Sequence, residues 1–302
     1  MKKKSKNIII HIGFPKTATT WLQKHFFPKV QNFEYFLPRV TNAEIIGVDP
    51  MDPLYDPSKW EKKDNIIISN ENFLGIGRIS GFIRIGLANR LKEIFPKAHI
   101  VLFIRNQIDL IASEYSWSVK NSGCTFSPEK FFHFKNPHWH NTFEYKPHHL
   151  MFDRVINLYK ELFGNDYVHV FLYEDLKENP KEFIRHFSEN MGFEVNLESI
   201  DFNPVNTKLR KGLLPIIRFL NIFTKPKILF RHHFISLPFL GNHIPKIAEG
   251  LNNCHIFGKK QDSATILGTN LTNELSCFFK ESNQRLISEY GLSDIKNYNY
   301  PL

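Results

Sequence analysis

Short apolar runs alternate with amphipathic stretches along most of this chain. Four runs rich in β-branched and other apolar residues have the length and composition of buried strands: 7–13, 66–69, 99–104 and 167–172. Apolar residues at helical spacing follow them, and the pattern predicts helices within 19–27, 83–94, 108–115 and 150–163. Another helix is expected to begin at Pro180 and to end at Gly192, because proline suits the first turn and glycine the end.

This alternation predicts an α/β fold. We expect a P-loop-like three-layer sandwich, in which a central parallel sheet carries helices on both faces. Ligands of such sheets bind beyond the carboxyl ends of the strands, and three polar segments follow predicted strands: 13–20, Glu71 and Arg105. These segments are therefore expected to share one cleft. Since no repeat or low-complexity linker interrupts the chain, residues 1–302 are predicted to form a single domain.

Residues 203–260 have a different character. They contain ten lysines and arginines but a single acidic residue, Glu249, and their apolar residues occur in clumps. We expect helices and loops that cover the cleft as a basic lid and acceptor-binding segment, without a strand of the main sheet. Two interpretations stay open for this stretch. It is either a lid with a solvated basic face or a surface that contacts an anionic membrane or a lipid-linked acceptor.

Charge and cysteine content narrow the class of protein only partly. The net charge of +9 favours anionic partners, among them nucleotides, nucleic acids, acidic glycans and anionic membranes. The three cysteines, Cys124, Cys254 and Cys277, are widely spaced, so neither a zinc site nor a disulfide framework is predicted. The apolar run after the basic start is too short for a signal peptide, and no run approaches the length of a membrane span. We predict a cytoplasmic protein, with peripheral membrane contact as an open extension.

The segment 11–22 joins the first predicted strand to a helix and is rich in anion-binding groups. Backbone N–H groups at such a turn, together with the helix dipole, form an anion site. Lys16 adds a positive charge, and hydroxyl donors come from Thr17, Thr19 and Thr20. A Walker A loop requires glycine directly before its lysine, whereas Pro15 precedes Lys16 here. A P-loop-type nucleotide-dependent kinase is therefore kept only as the alternative function.

The residues Pro15–Leu22, P-K-T-A-T-T-W-L, resemble the 5′-phosphosulfate loop of sulfotransferases that use PAPS (3′-phosphoadenosine 5′-phosphosulfate). The usual form of that loop is P-K-S/T-G-T-T-x-L, and Ala18 replaces its glycine. That replacement matters if the backbone needs a positive φ. The resemblance implies that Lys16 is catalytic and that PAPS is bound by Pro15, Thr17, Ala18, Thr19, Thr20 and Trp21.

A second segment resembles the 3′-phosphate motif of the same family, R-N-P-x-D-x-x-x-S-x-Y. Arg105 lies at a strand end and Ser113 eight residues later in the next helix, so both can converge on one anion. From these residues alone, two interpretations are equally open: an anion site, or a surface arginine and a serine without a binding role. The resemblance implies that Arg105 and Ser113 hold the 3′-phosphate, which distinguishes PAPS from ATP. Asp109 is predicted to cap the helix.

Later segments extend the resemblance over nearly the whole chain. Residues 171–177, F-L-Y-E-D-L-K, followed by Pro180, resemble the Y-E-D-L strand of the family and the helix after it, which implies that Tyr173 contacts the adenine. A tyrosine that merely packs at a strand end is the other interpretation. A late basic loop over the 3′-phosphate is implied for Lys208, Arg210 and Lys211, and residues 279–301 resemble the closing helix and tail of bacterial sulfotransferases.

The acceptor's proton needs a base, and Glu71 is the candidate. It follows the strand 66–69, and no histidine occurs between His25 and His99 to take this role. A carboxylate there accepts a proton if partial burial raises its pKa. The competing interpretation is that Glu71 caps a helix or pairs with a cation such as Arg78.

A glutamate base resembles that of glycan sulfotransferases, so a carbohydrate is the first expected acceptor and a lipid-linked saccharide the second. The closely spaced His138 and His140 suggest a metal, but no carboxylate or cysteine joins them in a known pattern. An aromatic acceptor-binding loop is favoured there, and no metal is expected to be required. No nucleic-acid-binding motif occurs, so nucleic acid is not an expected partner. The product of the donor would be PAP (3′-phosphoadenosine 5′-phosphate).

Overall fold

The structure is a computed structural model, and the residues that it describes are 7–47, 57–60, 63–75, 83–132, 147–203, 209–210, 212–223, 238–252, 255–258 and 262–302. The chain divides into two compact units. Residues 1–105, 149–205 and 282–299 form the first unit, and residues 106–148, 206–281 and 300–302 form the second.

A five-stranded sheet forms the centre of the first unit. Its strands are β1 (Ile8–His11), β2 (Glu34–Phe36), β3 (Ile66–Ser69), β4 (His99–Ile104) and β5 (Val168–Leu172), in the spatial order β2-β3-β1-β4-β5. All neighbouring strands are parallel. In the register of β1 and β3, His11 lies opposite Ser69. The predicted parallel sheet is confirmed, and β2, a three-residue edge strand, is the one that the sequence pattern did not predict.

The helices of the described residues connect and surround these strands. In chain order they are α1 (Thr19–Trp21), α2 (Pro38–Thr41), α3 (Arg84–Ile94), α4 (Gln107–Ser122), α5 (Pro128–Phe131), α6 (Phe152–Phe163), α7 (Tyr173–Glu178), α8 (Pro180–Met191), α9 (Leu213–Asn221), α10 (Pro238–Asn252), α11 (Ser263–Leu267) and α12 (Thr269–Ser288). A π-helical stretch, Leu22–Phe26, continues α1 and accounts for the predicted helix there. Gly192 ends α8 in the left-handed conformation, as the sequence predicts.

Both faces of the sheet are covered. On one face, the buried side chains of Ile9, Val101 and Phe103 belong to an apolar cluster that includes Phe183 and Phe187 of α8. On the other face, α6 packs against β4 and β5, and α3 packs against α6. Because β-strand side chains alternate between the two faces, these short strands are apolar throughout. The three-layer α/β architecture predicted from the sequence is therefore confirmed.

The second unit is helical in its described part. Helix α9 packs against α4 and α10, and the buried Asn221 side chain donates hydrogen bonds to Val119 O and Cys124 O. The described residues of 203–260 contain α9, α10 and a short 3-10 turn, His255–Phe257, and no strand of the main sheet. That agrees with the prediction for this segment. A lid function of the segment stays a prediction.

Candidate functional site

The carboxyl edge of the sheet is where the predicted site residues of the first unit lie. Strand β1 lies between β3 and β4, so the segments after these three parallel strands emerge side by side. The chain leaves β1 toward β2 on one side and later adds β4 on the other, which makes the β1–β4 neighbourhood a topological switch point. In open α/β sheets, ligands bind at such points.

The loop after β1 has an unusual backbone. Lys16 and Ala18 both adopt a positive φ of 64°, and Ala18 has a ψ of 15°, which is the left-handed helical region. Alternation of left-handed residues with ordinary ones turns successive N–H groups toward a common centre and forms a concave anion site. A side chain with a Cβ costs about 1–2 kcal/mol in this conformation. Ala18 therefore occupies a position at which glycine would be less strained.

Hydroxyl groups brace this loop from the inside. Thr17 and Thr19 are buried, and both donate hydrogen bonds to the carbonyl oxygen of Phe14, Thr19 at 3.3 Å. Thr20 is exposed, whereas Pro15 is half-buried like Lys16. The predicted role of the threonines in holding a phosphosulfate stays a prediction, since in this structure two of the hydroxyls engage the loop itself.

Trp21 anchors the start of the following helix. Its indole Nε1 donates to the carbonyl oxygen of Asp201 at 3.0 Å, and its ring stacks on Phe202 with centroids 5.8 Å apart. The side chain is buried, and Ala18 packs against the same apolar cluster. A role of Trp21 in contacting PAPS stays a prediction.

Arg105 connects the predicted motifs. Its guanidinium donates from Nη1 to the carbonyl oxygen of Lys16 at 2.9 Å, and its Cζ lies 4.7 Å from the ring centroid of Tyr173. Arg105 itself is 6% exposed. Lys16 and Tyr173, from two other sequence motifs, therefore both contact the Arg105 guanidinium. Tyr173 is the first residue of α7 and directly follows β5, which ends at Leu172 as the sequence predicts.

The segment after β3 is held by a network of amide side chains. Asn70 is fully buried, and its Nδ2 donates to Thr41 Oγ1 and to Asn42 Oδ1, both at 2.8 Å. Its Oδ1 accepts a hydrogen bond from Asn72 N at 3.0 Å and so caps the 3-10 turn Glu71–Leu74. Glu71 is the first residue of that turn and is exposed. The network fixes the backbone at Glu71, while the side chain remains at the surface.

The other end of this turn is fixed by Arg84. Its Nε donates to Leu74 O at 2.8 Å, and its Nη2 donates to His149 O at 3.2 Å. Burial lowers the pKa of the Arg84 guanidinium. Its Cζ lies 5.9 Å from the ring centroid of Phe14, the residue whose carbonyl braces the anion loop. Arg84 thus links the segments after β1 and β3.

The remaining predicted residues belong to the second unit. Ser113 is half-buried in α4. The prediction that Asp109 caps α4 was wrong, because Asn106 Oδ1 accepts hydrogen bonds from Ile108 N and Asp109 N. Arg210 uses its guanidinium within the unit and donates to Asn252 O and Gly258 O, both at 2.7 Å. Several residues singled out in the sequence lie outside the described residues: Arg78, His138, His140, Lys208 and Lys211.

No model of a protein family matches this sequence, and no curated protein matches it. Among solved structures, a sulfotransferase from Alicyclobacillus acidocaldarius superposes with a TM-score of 0.54 at 15% identity, over 94% of this chain and 95% of that one. The chain has the fold of a sulfotransferase. Mouse sulfotransferase SULT7A1 complexed with PAP aligns with a TM-score of 0.45 at 14% identity, over 94% of this chain and 89% of that one. A sulfotransferase domain from the curacin biosynthetic pathway reaches 0.39 at 11% identity, over 91% and 99% of the two chains.

Sequence reasoning missed one buried cluster in this sulfotransferase fold. His11, at the end of β1, is fully buried, and its Nδ1 lies 2.8 Å from Ser69 Oγ. Burial lowers the pKa of the His11 imidazole to about 3, so the ring is neutral at ordinary pH. A histidine inside an apolar strand, two residues before Gly13, was the signal that could have pointed to this cluster.

Among the described residues, no group of three or more histidine, cysteine, aspartate or glutamate side chains could hold a metal ion. None of the described helices is long and apolar enough to cross a membrane. Cys124 and Cys277 are free thiols, and Cys254 lies outside the described residues.

Proposed function

We propose that this protein is a PAPS-dependent sulfotransferase that transfers a sulfuryl group to a hydroxyl or amine, on a carbohydrate or a lipid-linked saccharide. The observation that carries the proposal is the hydrogen bond from Arg105 to Lys16 O. It joins the end of β4 to a loop of the anion-binding type after β1, at the switch point of a sulfotransferase fold. The kinase alternative is not favoured, since Pro15 stands where a Walker loop has glycine.

The loop after β1 and the segment that begins at Arg105 bind the donor in this proposal. The backbone N–H groups around Thr17, with Thr19 and Thr20, hold the 5′-phosphosulfate of PAPS in this proposal. Arg105 and Ser113 hold its 3′-phosphate, with Lys208, Arg210 and Lys211 as the late basic loop. A guanidinium has five N–H donors, so the bond to Lys16 O is compatible with a phosphate contact.

The transfer step is an in-line displacement at sulfur. The acceptor oxygen or nitrogen forms a bond to sulfur while the bond between sulfur and the bridging oxygen of PAPS breaks. Glu71 takes the proton of the acceptor, and the Lys16 ammonium stabilises the negative charge that develops on the bridging oxygen of PAP. Because a sulfuryl group carries less charge than a phosphoryl group, the step is proposed to need no metal.

Incubation of the protein with radiolabelled PAPS and a panel of acceptors tests this function. The panel contains glycans, lipid-linked saccharides and simple phenols, each with and without EDTA. We expect label to move to a saccharide acceptor with a rate that EDTA leaves unchanged. Transfer of phosphate from ATP that stops with EDTA, without any transfer from PAPS, would contradict the proposal.

We also propose that the protein is cytoplasmic and that its second unit makes a peripheral contact with a membrane. There α9 and its neighbours expose large apolar side chains: Ile216 (41%), Phe219 (60%), Ile247 (41%) and Ile256 (87%). The exposed Lys246 adds a cation that suits anionic lipid. The sequence alternates further basic and apolar residues in this segment, and the following lie outside the described residues: Lys225, Lys227, Phe230, Arg231, Phe234 and Leu237. Phe239, which continues this pattern, lies in α10.

Sedimentation with anionic vesicles at low salt tests this contact. The wild-type protein is expected to sediment, and Phe219→Gln is expected to reduce the bound fraction several-fold, since burial of an aromatic side chain contributes roughly 2 kcal/mol. Leu37→Gln is the matched control, because Leu37 is 55% exposed but belongs to the first unit. No sedimentation, or equal loss in both variants, would remove the membrane contact.

A further inference from the structure

His11 occupies a position directly beneath the anion loop. Its imidazole lies between the rings of Phe27 and Phe103, with centroid distances of 5.5 Å and 5.4 Å. Its exposure is 0%, and its Nε2 has no hydrogen-bond partner among the described residues. A buried polar atom without a partner costs about 1–3 kcal/mol, so its presence calls for a physical reason.

The neighbours of the ring fit a proton on Nε2 rather than on Nδ1. Gln23 Nε2 lies 3.2 Å from the backbone oxygen of Ser69, which fixes the orientation of the amide, and it also donates to Ser69 Oγ at 3.2 Å. The Ser69 hydroxyl then has its own proton to give, and His11 Nδ1 at 2.8 Å is placed to accept it. These contacts fit a neutral ring that carries its proton on Nε2.

The Nε2–H group faces the same small space as a hydroxyl of the anion loop. A Cβ added to Gly13 would stand 2.5 Å from His11 Nε2 and 3.0 Å from Thr19 Oγ1. Only glycine fits at this position, because any side chain would collide with the imidazole. At present the Thr19 hydroxyl donates to Phe14 O at the long distance of 3.3 Å, an acceptor that it shares with Thr17.

We infer that His11 is a positioning residue for Thr19. When an anion enters the loop, the Thr19 hydroxyl turns its proton from Phe14 O to the anion, and Thr19 Oγ1 accepts a hydrogen bond from His11 Nε2–H. A chain of donors then runs from Gln23 through Ser69, His11 and Thr19 to the anion. No proton leaves its atom in this arrangement. The inference rests on the proposed function, because the anion concerned is the 5′-phosphosulfate of PAPS or the 5′-phosphate of PAP.

Substitution of His11 by glutamine or by asparagine distinguishes the roles of the two ring nitrogens. His11→Gln places an amide N–H near the position of Nε2, whereas His11→Asn retains only the contact with Ser69. By titration calorimetry with PAP, we expect His11→Asn to bind about tenfold more weakly than the wild type, the scale of one lost hydrogen bond. His11→Gln is expected to recover most of that loss. Equal weakening in both variants would reduce His11 to a packing role and overturn the inference.

Nitrogen-15 NMR of the imidazole rings provides a readout that does not depend on a His11 variant folding well. In the wild type, His11 should show a protonated Nε2 and an unprotonated Nδ1, and its Nε2–H resonance should shift on addition of PAP. In Thr19→Val at saturating PAP, that shift should be absent, while Thr19→Ser should keep it. An unprotonated Nε2, or an identical shift in Thr19→Val, would overturn the inference.

Failure of the proposed function would give a different result from failure of the positioning role of His11. If the wild-type protein does not bind PAP, the assignment as a PAPS-dependent enzyme fails, and inorganic sulfate at saturating concentration replaces PAP as the anion in the same NMR titration. A His11 Nε2–H resonance that responds to sulfate through Thr19 would still support the positioning role. A resonance that responds to neither anion would remove it.

Discussion

The sheet edge of the first unit and helix α9 of the second unit differ in how their side chains are held. In the first unit, the residues at the sheet edge are fixed by short hydrogen bonds, such as Arg105 to Lys16 O and Asn70 to Thr41. In the second, α9 leaves Ile216 and Phe219 exposed. In the proposed function, the sheet edge supplies the anion loop and Arg105 for the donor, whereas the exposed face of α9 is open to a membrane or a lipid-linked acceptor. A donor that never varies can be matched by fixed geometry, whereas acceptors differ between enzymes of one fold.

Removal of the proposed catalytic charge from the sheet edge should have the largest effect. Lys16→Ala should lower turnover by on the order of 10²–10³, because the lysine acts mainly in the transition state. Binding of PAP should survive in part. Lys24→Ala is the matched control, because Lys24 is also a lysine near the loop but is exposed and lies in the helical stretch Leu22–Phe26. Steady-state kinetics with PAPS would contradict the account if Lys16→Ala turned over normally or if both variants lost activity equally.

The proposed base gives the next largest effect. Glu71→Gln keeps the shape of the side chain and removes its basicity, so turnover should fall by roughly a hundredfold with PAP affinity unchanged. Glu93→Gln, at another exposed glutamate of the first unit, should leave turnover unchanged. Since Glu71 is exposed in this structure, the measurement also asks whether a surface carboxylate can serve. If Glu71→Gln is fully active, the base lies elsewhere, and His148 or His149 is the next candidate.

The smallest effect concerns the strain in the anion loop. Ala18→Gly should raise the free energy of unfolding by about 1 kcal/mol, because glycine adopts the left-handed conformation without a Cβ penalty. Ala264→Gly is the opposite control, since Ala264 is exposed in helix α11 and glycine should cost up to about 1 kcal/mol there. Denaturant unfolding should show a higher free energy of unfolding for Ala18→Gly and a lower one for Ala264→Gly than for the wild type. A loss of stability in Ala18→Gly would contradict the strain.

The sequence predicted the sheet well because its strands are short, apolar runs bounded by polar residues. Strands β3 and β4 have the predicted bounds, and helix α8 begins and ends at its predicted proline and glycine. Edge strand β2 escaped prediction, since its residues Glu34–Phe36 are only partly buried and carry no continuous apolar run. At the start of α4, Asn106 and Asp109 are both capping residues by type, and only the backbone geometry shows that Asn106 is the cap.

The anion loop and its partner arginine were predicted from residue types, but their joining was not. Nothing in the sequence shows that Arg105 donates to the carbonyl oxygen of Lys16, because the two residues are far apart in the chain. The buried cluster of His11, Ser69 and Gln23 escaped for the same reason. Its members belong to two parallel strands and one helical stretch, and only the register of β1 with β3 places His11 opposite Ser69.

In the proposed site, the loop after β1 and Arg105 after β4 together hold a nucleotide with a 3′-phosphate. The most direct test measures binding of PAP and of 5′-AMP to the wild type, to Arg105→Ala and to the exposed control Arg154→Ala. We predict that Arg105→Ala weakens PAP binding by about 30-fold, which corresponds to about 2 kcal/mol, and weakens 5′-AMP binding much less. Arg154→Ala should change neither affinity. Equal weakening of both ligands by Arg105→Ala, or equal wild-type affinity for PAP and 5′-AMP, would contradict the account.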